Sequence, residues 1–193
     1  MQTPRLLRPL AVAGLVTLSF GALSVAVPSV ASATTPATNN VVKAAYAKKL
    51  GFAKVVVAPK SSTKTEEKNC GNSAEAIYES TNGQVGMISE ALICSTPAAA
   101  ATALKQARSE ATPDTTIAVP KALGSTAFGT STEAPQYTVV WQHGSKVGVA
   151  AIDTDIPASA SETPEAGSYP PITAAQTKML TALAVYQNGL MAK

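Results

Sequence analysis

Two cysteines and a single histidine carry the clearest chemistry in this sequence. Cys70 and Cys94 flank two strand-like runs separated by Thr81-Asn82-Gly83, a turn signal, so the two thiols can meet across a β-hairpin. A loop centred on Asn82 places Cys70 directly opposite Cys94, whereas a two-residue Asn82-Gly83 turn misses by one residue and needs a bulge. Because the chain has no Cys-x-x-Cys motif, the pair is predicted to form a structural disulfide rather than a redox site.

His143 is the one imidazole available for acid–base catalysis. A Ser-His-Asp mechanism needs that base within hydrogen-bond reach of a nucleophile, but His143 precedes Gly144 in an expected hairpin turn, and the chain has no Gly-x-Ser-x-Gly elbow. Two Cys and one His exclude a four-thiolate or all-histidine zinc site. Asp153 and Asp155 supply few of the roughly six or more oxygens that calcium takes. The sequence therefore predicts a protein that is not an enzyme and has no metal and no cofactor.

The N-terminus has the pattern of a secretory signal. Arg5 and Arg8 precede an apolar run from Leu10 to Val27, and Ala31-Ser32-Ala33 supplies the small residues that signal peptidase reads. We expect residues 1–33 to be cleaved as a signal peptide, which directs the chain outside the cytoplasm, where cysteines oxidise. The alternative is an uncleaved segment that anchors the protein in the membrane, because an apolar run of this length can just span a bilayer.

Charge is distributed unevenly along the chain. Seven lysines and two glutamates lie between Lys43 and Lys68, whereas six basic and ten acidic residues lie from Asn69 onward. A basic segment of this kind could make weak contact with anionic wall polymer or lipid. The favoured interpretation is a solvated helix face and loop, or pairing with the acidic part of the same chain. Nucleic acid is not expected as a partner of an exported protein whose basic segment lacks arginine.

Periodicity and turn residues define the elements that hold these side chains in place. A helix is expected where Asn39 and Asn40 can cap its start, and another where Thr96-Pro97 opens an alanine-rich run. In chain order, the expected elements are a helix at 41–50, a buried strand at 52–58, hairpin strands at 74–80 and 84–93, a helix at 98–108, short strands at 115–119 and 127–131, hairpin strands at 136–142 and 146–153, and a helix from Thr173 to about Leu190.

This order, α-βββ-α-βββ-α, predicts an α+β fold. Two strand-and-hairpin units would join in one antiparallel sheet, with the helices packed on one face. Residues 41–193 form a single domain in this interpretation, preceded by a flexible mature N-terminus at 34–40. The stretch 154–171 contains four prolines, several acidic side chains and no basic one. It is expected to be a surface loop or a binding loop.

Three short motifs lie in the C-terminal half: Ala-Leu-Gly-Ser-Thr-Ala-Phe at 122–128, Tyr-Thr-Val-Val-Trp at 137–141, and a glycine turn with a valine-rich strand at 144–150. Their combination resembles small exported envelope domains of actinobacteria, including lipoproteins and the extracytoplasmic sensor domains of mycobacterial serine/threonine kinases. The chain departs from that pattern at Ser125, where the family has an acidic residue, and it has no lipid-accepting cysteine. The resemblance implies an antiparallel sheet with helices and a non-enzymatic extracellular role, without active-site residues.

Together these patterns predict a secreted, non-catalytic binding or sensor-like domain of the cell envelope or extracellular space, with an unidentified extracellular or envelope ligand. The expected binding surface is the second hairpin and the loop after it, with the residues Tyr137, Trp141, His143, Asp153 and Tyr169. One alternative is a carrier that holds a small apolar ligand or lipid in a cavity between sheet and helix. The other is an enzyme, which would need titratable groups converging in a cleft around His143.

Mass spectrometry of the protein from culture medium tests the signal peptide and the disulfide together. We expect an intact mass that begins at Thr34 and is lighter by two hydrogens than the mass of the same sample after reduction. A mass that includes residues 1–33 would contradict cleavage and favour the membrane anchor.

Overall fold

The computed structural model describes residues 36–63, 69–111, 114, 117–131, 136–154 and 172–193. The helices in these ranges are α1 (Ala44–Lys49), α2 (Pro97–Glu110) and α3 (Ala174–Met191), with 3-10 turns at Ala37–Asn40 and Lys121–Leu123. The strands are β1 (Lys54–Ser62), β2 (Cys70–Glu79), β3 (Val85–Cys94), β4 (Phe128–Ser131), β5 (Gln136–His143) and β6 (Lys146–Thr154).

The described strands form one antiparallel sheet with the order β1-β2-β3-β6-β5-β4. The central strands β3 and β6 pair along nearly their whole length, from Val85 opposite Thr154 to Ile93 opposite Lys146. β1 and β4 are therefore the edges. The predicted α+β class with an antiparallel sheet is confirmed.

The strands present apolar side chains on both faces of this sheet. Along β3, Met87 and Ala91 belong to one core cluster, whereas Leu92 and Cys94 belong to the other. The face with Met87 is covered by α3 and by the segment 37–47, and we call it the α3 face. The opposite face is covered near the disulfide by α2, and we call it the α2 face.

The prediction that the helices pack on one face is wrong, because α2 and α3 cover opposite faces. The α2 face has its own small core, in which Ala100, Ala103 and Leu104 of the helix meet Phe128 and Val147 of the sheet. A sheet that is apolar on both sides needs cover on both sides, which places helices in two layers around it.

The two long helices begin where the sequence predicts. Thr96 Oγ1 accepts a hydrogen bond from the Ala99 backbone N–H at 3.1 Å, and Thr173 Oγ1 accepts one from the Gln176 N–H at 3.2 Å. The Gln176 side chain accepts in turn from the Thr173 N–H at 2.8 Å, which completes a capping box. These bonds satisfy N–H groups that have no partner within the first helical turn.

The region before the first hairpin differs from the sequence-based expectation. The helix expected at 41–50 is shortened to α1, because the backbone is extended at Val41 and Lys43. Asn40 does not cap it; its side-chain amide donates to the Ala37 carbonyl at 3.1 Å. Within the segment 34–40, residues Ala37–Asn40 form a 3-10 turn that contacts α3, and residues 34 and 35 lie outside the described residues. Val41 is fully buried in the core. The free energy gained from that burial is larger than the gain from adding Val41 to a longer helix.

Strand β1 is an exposed edge strand, not the buried strand expected at 52–58. Val55 and Val56 are 47% and 42% exposed, and the strand continues through Pro59 to Ser62. Proline is tolerated because an edge strand has no neighbour on one side to receive the missing N–H. Two irregularities in its register with β2 are typical of edges protected against pairing with other chains.

The second hairpin is confirmed with small changes at its ends. Tyr137, Val139 and Trp141 share the α3 face, as the alternation predicts. β4 confirms the short strand expected at 127–131. The prediction of a short strand at 115–119 is wrong in its described part, because residues 117–119 belong to a loop. From residue 155 to residue 171, the expected binding loop lies outside the described residues.

The disulfide between Cys70 and Cys94 is confirmed. The pairing of β2 with β3 follows the register that a two-residue turn predicts, and it shifts by one residue between Cys70 and Asn72. This bulge brings Cys70 opposite Cys94, as the second of the two predicted registers requires. In the chain-entropy model, closing a loop of about 25 residues stabilises the fold by roughly 3 to 4 kcal/mol.

A chain of buried hydrogen bonds joins β3 to both elements that cover the α3 face. Ser89 Oγ accepts from the Val42 backbone N–H at 3.0 Å and donates to Gln187 Oε1 of α3 at 2.8 Å. The Gln187 amide donates to the Glu90 carbonyl at 2.5 Å, and the Tyr78 hydroxyl donates to the Val42 carbonyl at 2.8 Å. Ser89 and Gln187 are fully buried, so losing one partner would cost about 1–3 kcal/mol.

Gly148 of β6 lies against the indole ring of Trp141. A Cβ atom at this position would be 2.4 Å from Trp141 Cζ2 and 2.8 Å from Met191 Sδ. We expect Gly148→Ala to lower the free energy of unfolding by roughly 1–3 kcal/mol, measured by urea denaturation with the disulfide intact. Gly189→Ala is the control, since nothing lies within 4 Å of a Cβ atom there and alanine favours a helix. Equal losses in the two variants would contradict this packing.

Candidate binding surface

The structure separates the residues that the sequence groups into a binding surface. Tyr137, Trp141 and His143 lie on the α3 face, and Tyr137 and Trp141 are only 4% and 0% exposed. Asp153 lies on the α2 face, and Tyr169 lies outside the described residues. Tyr137 and Trp141 are therefore core residues. This corrects their placement on an exposed surface, because α3 covers the face to which they alternate.

His143 is held by α3. Its Nδ1 atom is 3.1 Å from Asn188 Oδ1, which also accepts a hydrogen bond from Trp141 Nε1 at 3.1 Å. The Asn188 side-chain amide donates to the Ala122 carbonyl at 3.3 Å. The network fastens the second hairpin and the 3-10 turn at 121–123 to the last helix, which gives His143 a structural role.

A shallow groove of about 440 Å³ lies between α1 and α3. The rings of Tyr46 and Tyr186 stack there with centroids 3.6 Å apart, and the Tyr46 hydroxyl donates to the Ala182 carbonyl at 3.3 Å. Lys178 and the exposed Val185 also line it. The groove opens on the outer side of the two helices, whereas the carrier hypothesis places its cavity between sheet and helix.

A second group of side chains lies on the α2 face, toward the end of the first hairpin that is far from the disulfide. Its members occupy alternate positions of β2, β3 and β6, so they share this face. None of them belongs to the core cluster that packs beneath α2. We call this group the carboxylate surface, and its residues are Glu75, Ile77, Glu79, Ile88, Glu90 and Asp153.

The register arranges the carboxylate surface in three rows across the strands. In the first row, Glu75 of β2 is directly opposite Glu90 of β3. Directly opposite residues have Cβ atoms about 4.5–5.5 Å apart, so these two carboxylates are near neighbours. In the third row, Gly86 of β3 has Glu79 on one side and Asp153 on the other. Gly86 leaves the space between those two carboxylates without a side chain.

An apolar row separates the two acidic rows. Ile77 and Ile88 are directly opposite each other, and each is only half-buried. Neither belongs to a core cluster. Removing the rest of their apolar surface from water would contribute about 25 cal/mol per Å². The row is therefore an apolar strip that a partner could cover.

Two lysines of the edge strand β1 neutralise part of the acidic charge. Lys60 Nζ is 3.2 Å from Glu75 Oε2, and Lys54 Nζ is 2.6 Å from Glu79 Oε2. The lysine side chains are 64% and 56% exposed, whereas the side chains of Glu75 and Glu79 are 24% and 12% exposed. Because the lysines lie in solvent, each pair contributes about 1 kcal/mol or less. Of the interpretations of the lysine-rich segment 43–68, these contacts support pairing with the acidic part of the same chain.

Glu90 differs from the other carboxylates in its environment. Burial, and then the negative charge of Glu75, raise the pKa of Glu90 to about 7. Within the described part of the chain, its carboxylate makes no hydrogen bond or ion pair. Glu90 therefore exchanges a proton near neutral pH, where an ordinary glutamate is fully ionised.

Sequence analysis did not identify the carboxylate surface, apart from Asp153. The available signal was the alternation of Glu75, Ile77 and Glu79 along β2, which places an acidic, an apolar and an acidic side chain on one face. Glu90 could be matched to Glu75 only once the hairpin register was known. The sequence pattern of each strand was therefore sufficient to place the side chains on a face, but the register between the two strands was not known.

Within the described ranges, no group of three or more His, Cys, Asp or Glu side chains is arranged to hold a metal ion. Across those ranges, no helix is both long enough and apolar enough to cross a membrane. The carboxylates of the surface are spread over two rows and do not converge on one point.

The variant Glu90→Gln tests the raised pKa. Because the pKa of Glu90 in the folded state lies above the ordinary value of 4.5, the folded protein binds more protons between pH 4.5 and about 7. Stability is then lost as the pH rises through that window. We expect the variant to be more stable than the parent protein at pH 8, by up to about 3 kcal/mol, and to lose this advantage near pH 4.5.

Urea denaturation at the two pH values measures this difference. Glu110→Gln is the control, because Glu110 is an exposed residue of α2. The same stability difference between Glu90→Gln and the parent protein at both pH values would contradict the raised pKa.

Comparison with protein-family models, curated proteins and solved structures finds no match to this chain. The resemblance to small exported envelope domains therefore stays a prediction.

Proposed function

We propose that this protein is a secreted, non-catalytic binding domain that acts at the cell envelope or outside the cell. The signal pattern at residues 1–33 supports export, and a disulfide between Cys70 and Cys94 fits an oxidising compartment. We place its binding site on the carboxylate surface. Of the residues grouped by sequence, Asp153 belongs to this site.

The observation that carries the proposal is the apolar row of Ile77 and Ile88. Most apolar side chains of the first hairpin enter one of the two cores, whereas this pair stays half-buried between acidic neighbours. An apolar centre with a polar rim is a common arrangement of a protein contact surface. Binding would cover the isoleucines and bring the partner into contact with the carboxylates on either side of them.

The proposed role needs no catalytic residue and no cofactor. His143 is engaged by Asn188 of α3, and the Glu75–Glu90 pair lies on the face of a sheet rather than in a cleft. A carboxylate pair of this kind gives charge recognition and proton uptake, which suit a binding surface.

The two-unit interpretation of the sheet belongs to the same proposal. We regard β1–β3 and β4–β6 as two strand-and-hairpin units that meet where β3 pairs with β6. The carboxylate surface then spans their junction, because Glu90 lies on β3 and Asp153 on β6. Covering this surface would engage both units at once.

A second candidate function, carriage of a small apolar ligand, is favoured by the groove beside Tyr46 and Tyr186. Its volume of about 440 Å³ falls in the range of small-molecule sites. Quenching of tyrosine fluorescence by an added planar apolar ligand would favour this role, and protection of the carboxylate surface would favour the first.

Carboxyl labelling with a water-soluble carbodiimide, followed by mass spectrometry, tests the proposed surface. We expect labelling of Glu75 to fall when the purified protein is mixed with envelope fragments or concentrated medium from the producing cells, because a bound partner excludes the reagent. Glu110 of α2 is the matched control and should be labelled equally with and without this material. Equal labelling of Glu75 in all samples, or equal protection of Glu110, would contradict the proposed site.

A further inference from the structure

We propose that the carboxylate surface binds an extended cationic segment of a partner protein, with the pattern basic-x-apolar-x-basic. This inference rests on the proposed function and adds the chemistry of the partner. An extended segment presents residues i, i+2 and i+4 on one side. Its two basic side chains would lie over the acidic rows, and its apolar side chain over the isoleucine row.

The spacing of the rows determines this pattern. Glu75, Ile77 and Glu79 occupy alternate positions of β2. Because a strand rises about 3.3 Å per residue, the acidic rows are about 13 Å apart with the isoleucines midway. Basic residues four positions apart have the same separation in an extended segment, whereas in a helix they are only about 6 Å apart along the axis. The surface therefore fits a strand-like partner.

Charge favours a cation over the first row. Glu75 and Glu90 are directly opposite each other, and like charges in such a pair destabilise a sheet. Lys60 reaches Glu75 from the edge strand, but its side chain is 64% exposed. A partner ammonium or guanidinium group between Glu75 and Glu90 would offset their repulsion and lower the pKa of Glu90.

The other two rows fit the remaining side chains of the segment. Gly86 places no side chain beside Glu79. Glu79 is only 9% exposed and pairs with the exposed Lys54 at 2.6 Å, so a partner's cation would bind there by replacing Lys54. Between the acidic rows, Ile77 and Ile88 give an apolar side chain a contact outside both cores. A charged group with no apolar neighbour would use only part of this surface.

Titration of ¹⁵N-labelled protein with a synthetic peptide tests the inference. The peptide has seven residues and blocked ends, with lysine at its second and sixth positions, valine at its fourth and threonine elsewhere. We expect the amide signals of β2 and β3 around Ile77 and Ile88 to shift. A control peptide with serine in place of valine should bind about fivefold more weakly, because it loses roughly 1 kcal/mol of apolar burial.

Variants of the protein separate the charge contribution from the apolar one. Glu90→Gln and Ile88→Thr should each weaken binding about fivefold, while Glu110→Gln should leave it unchanged. The dispersion of the amide signals confirms that each variant is folded. Equal binding of the two peptides, or shifts confined to residues outside the carboxylate surface, would overturn the inference.

Failure of this inference is distinguishable from failure of the proposed function. If the peptide does not bind while cell-derived material still protects Glu75 from labelling, the cationic segment is wrong and the binding surface stands. If Glu75 is not protected either, both proposals fall.

Discussion

The fold depends on Ser89, a buried hydroxyl in the middle of the central strand β3. It is bonded to Val42, near the start of the described chain, and to Gln187, near its end. Leaving either bond unmade would cost about 1–3 kcal/mol. The Ser89 hydroxyl therefore makes both of its hydrogen bonds only when the N-terminal segment and α3 are both packed against the sheet. Gln187 also holds the carbonyl of Glu90. The same strand thus anchors the core on one face and carries the carboxylate surface on the other.

The path of α2 across the sheet explains why this helix does not cover the carboxylate surface. The helix starts just after Cys94, and the Pro97 carbonyl in its first turn accepts a hydrogen bond from the Gln142 side chain at 2.9 Å. At its other end, Arg108 lies 4.6 Å from the centre of the Phe128 ring on the edge strand β4. The helix therefore crosses the sheet from the disulfide end of β3, over β6 and β5, toward β4. The α2 face of β1 and β2 lies to one side of it, where charged residues replace apolar ones.

Local signals in the sequence predict the features that depend on a few neighbouring residues. Thr96 and Thr173 mark helix starts, and Cys70 and Cys94 mark a cross-linked hairpin, because caps and turns act over short distances. Local sequence signals do not indicate which face of the sheet a helix covers, so they are compatible with Trp141 as either a surface or a core residue. Local signals do not predict the acidic pair Glu75–Glu90 either. Its members are 15 positions apart, and only the register of β2 with β3 brings them together.

The central claim is that a partner covers the isoleucine row of the α2 face, and site-specific photocrosslinking in the producing cells tests it most directly. A photoreactive amino acid replaces Ile77 in one strain and the exposed Thr102 of α2 in another. The account predicts a discrete crosslinked product from position 77, joined to a lysine-rich or arginine-rich segment of the partner, and none from position 102. The same product from both positions, or a product from position 102 alone, would contradict it.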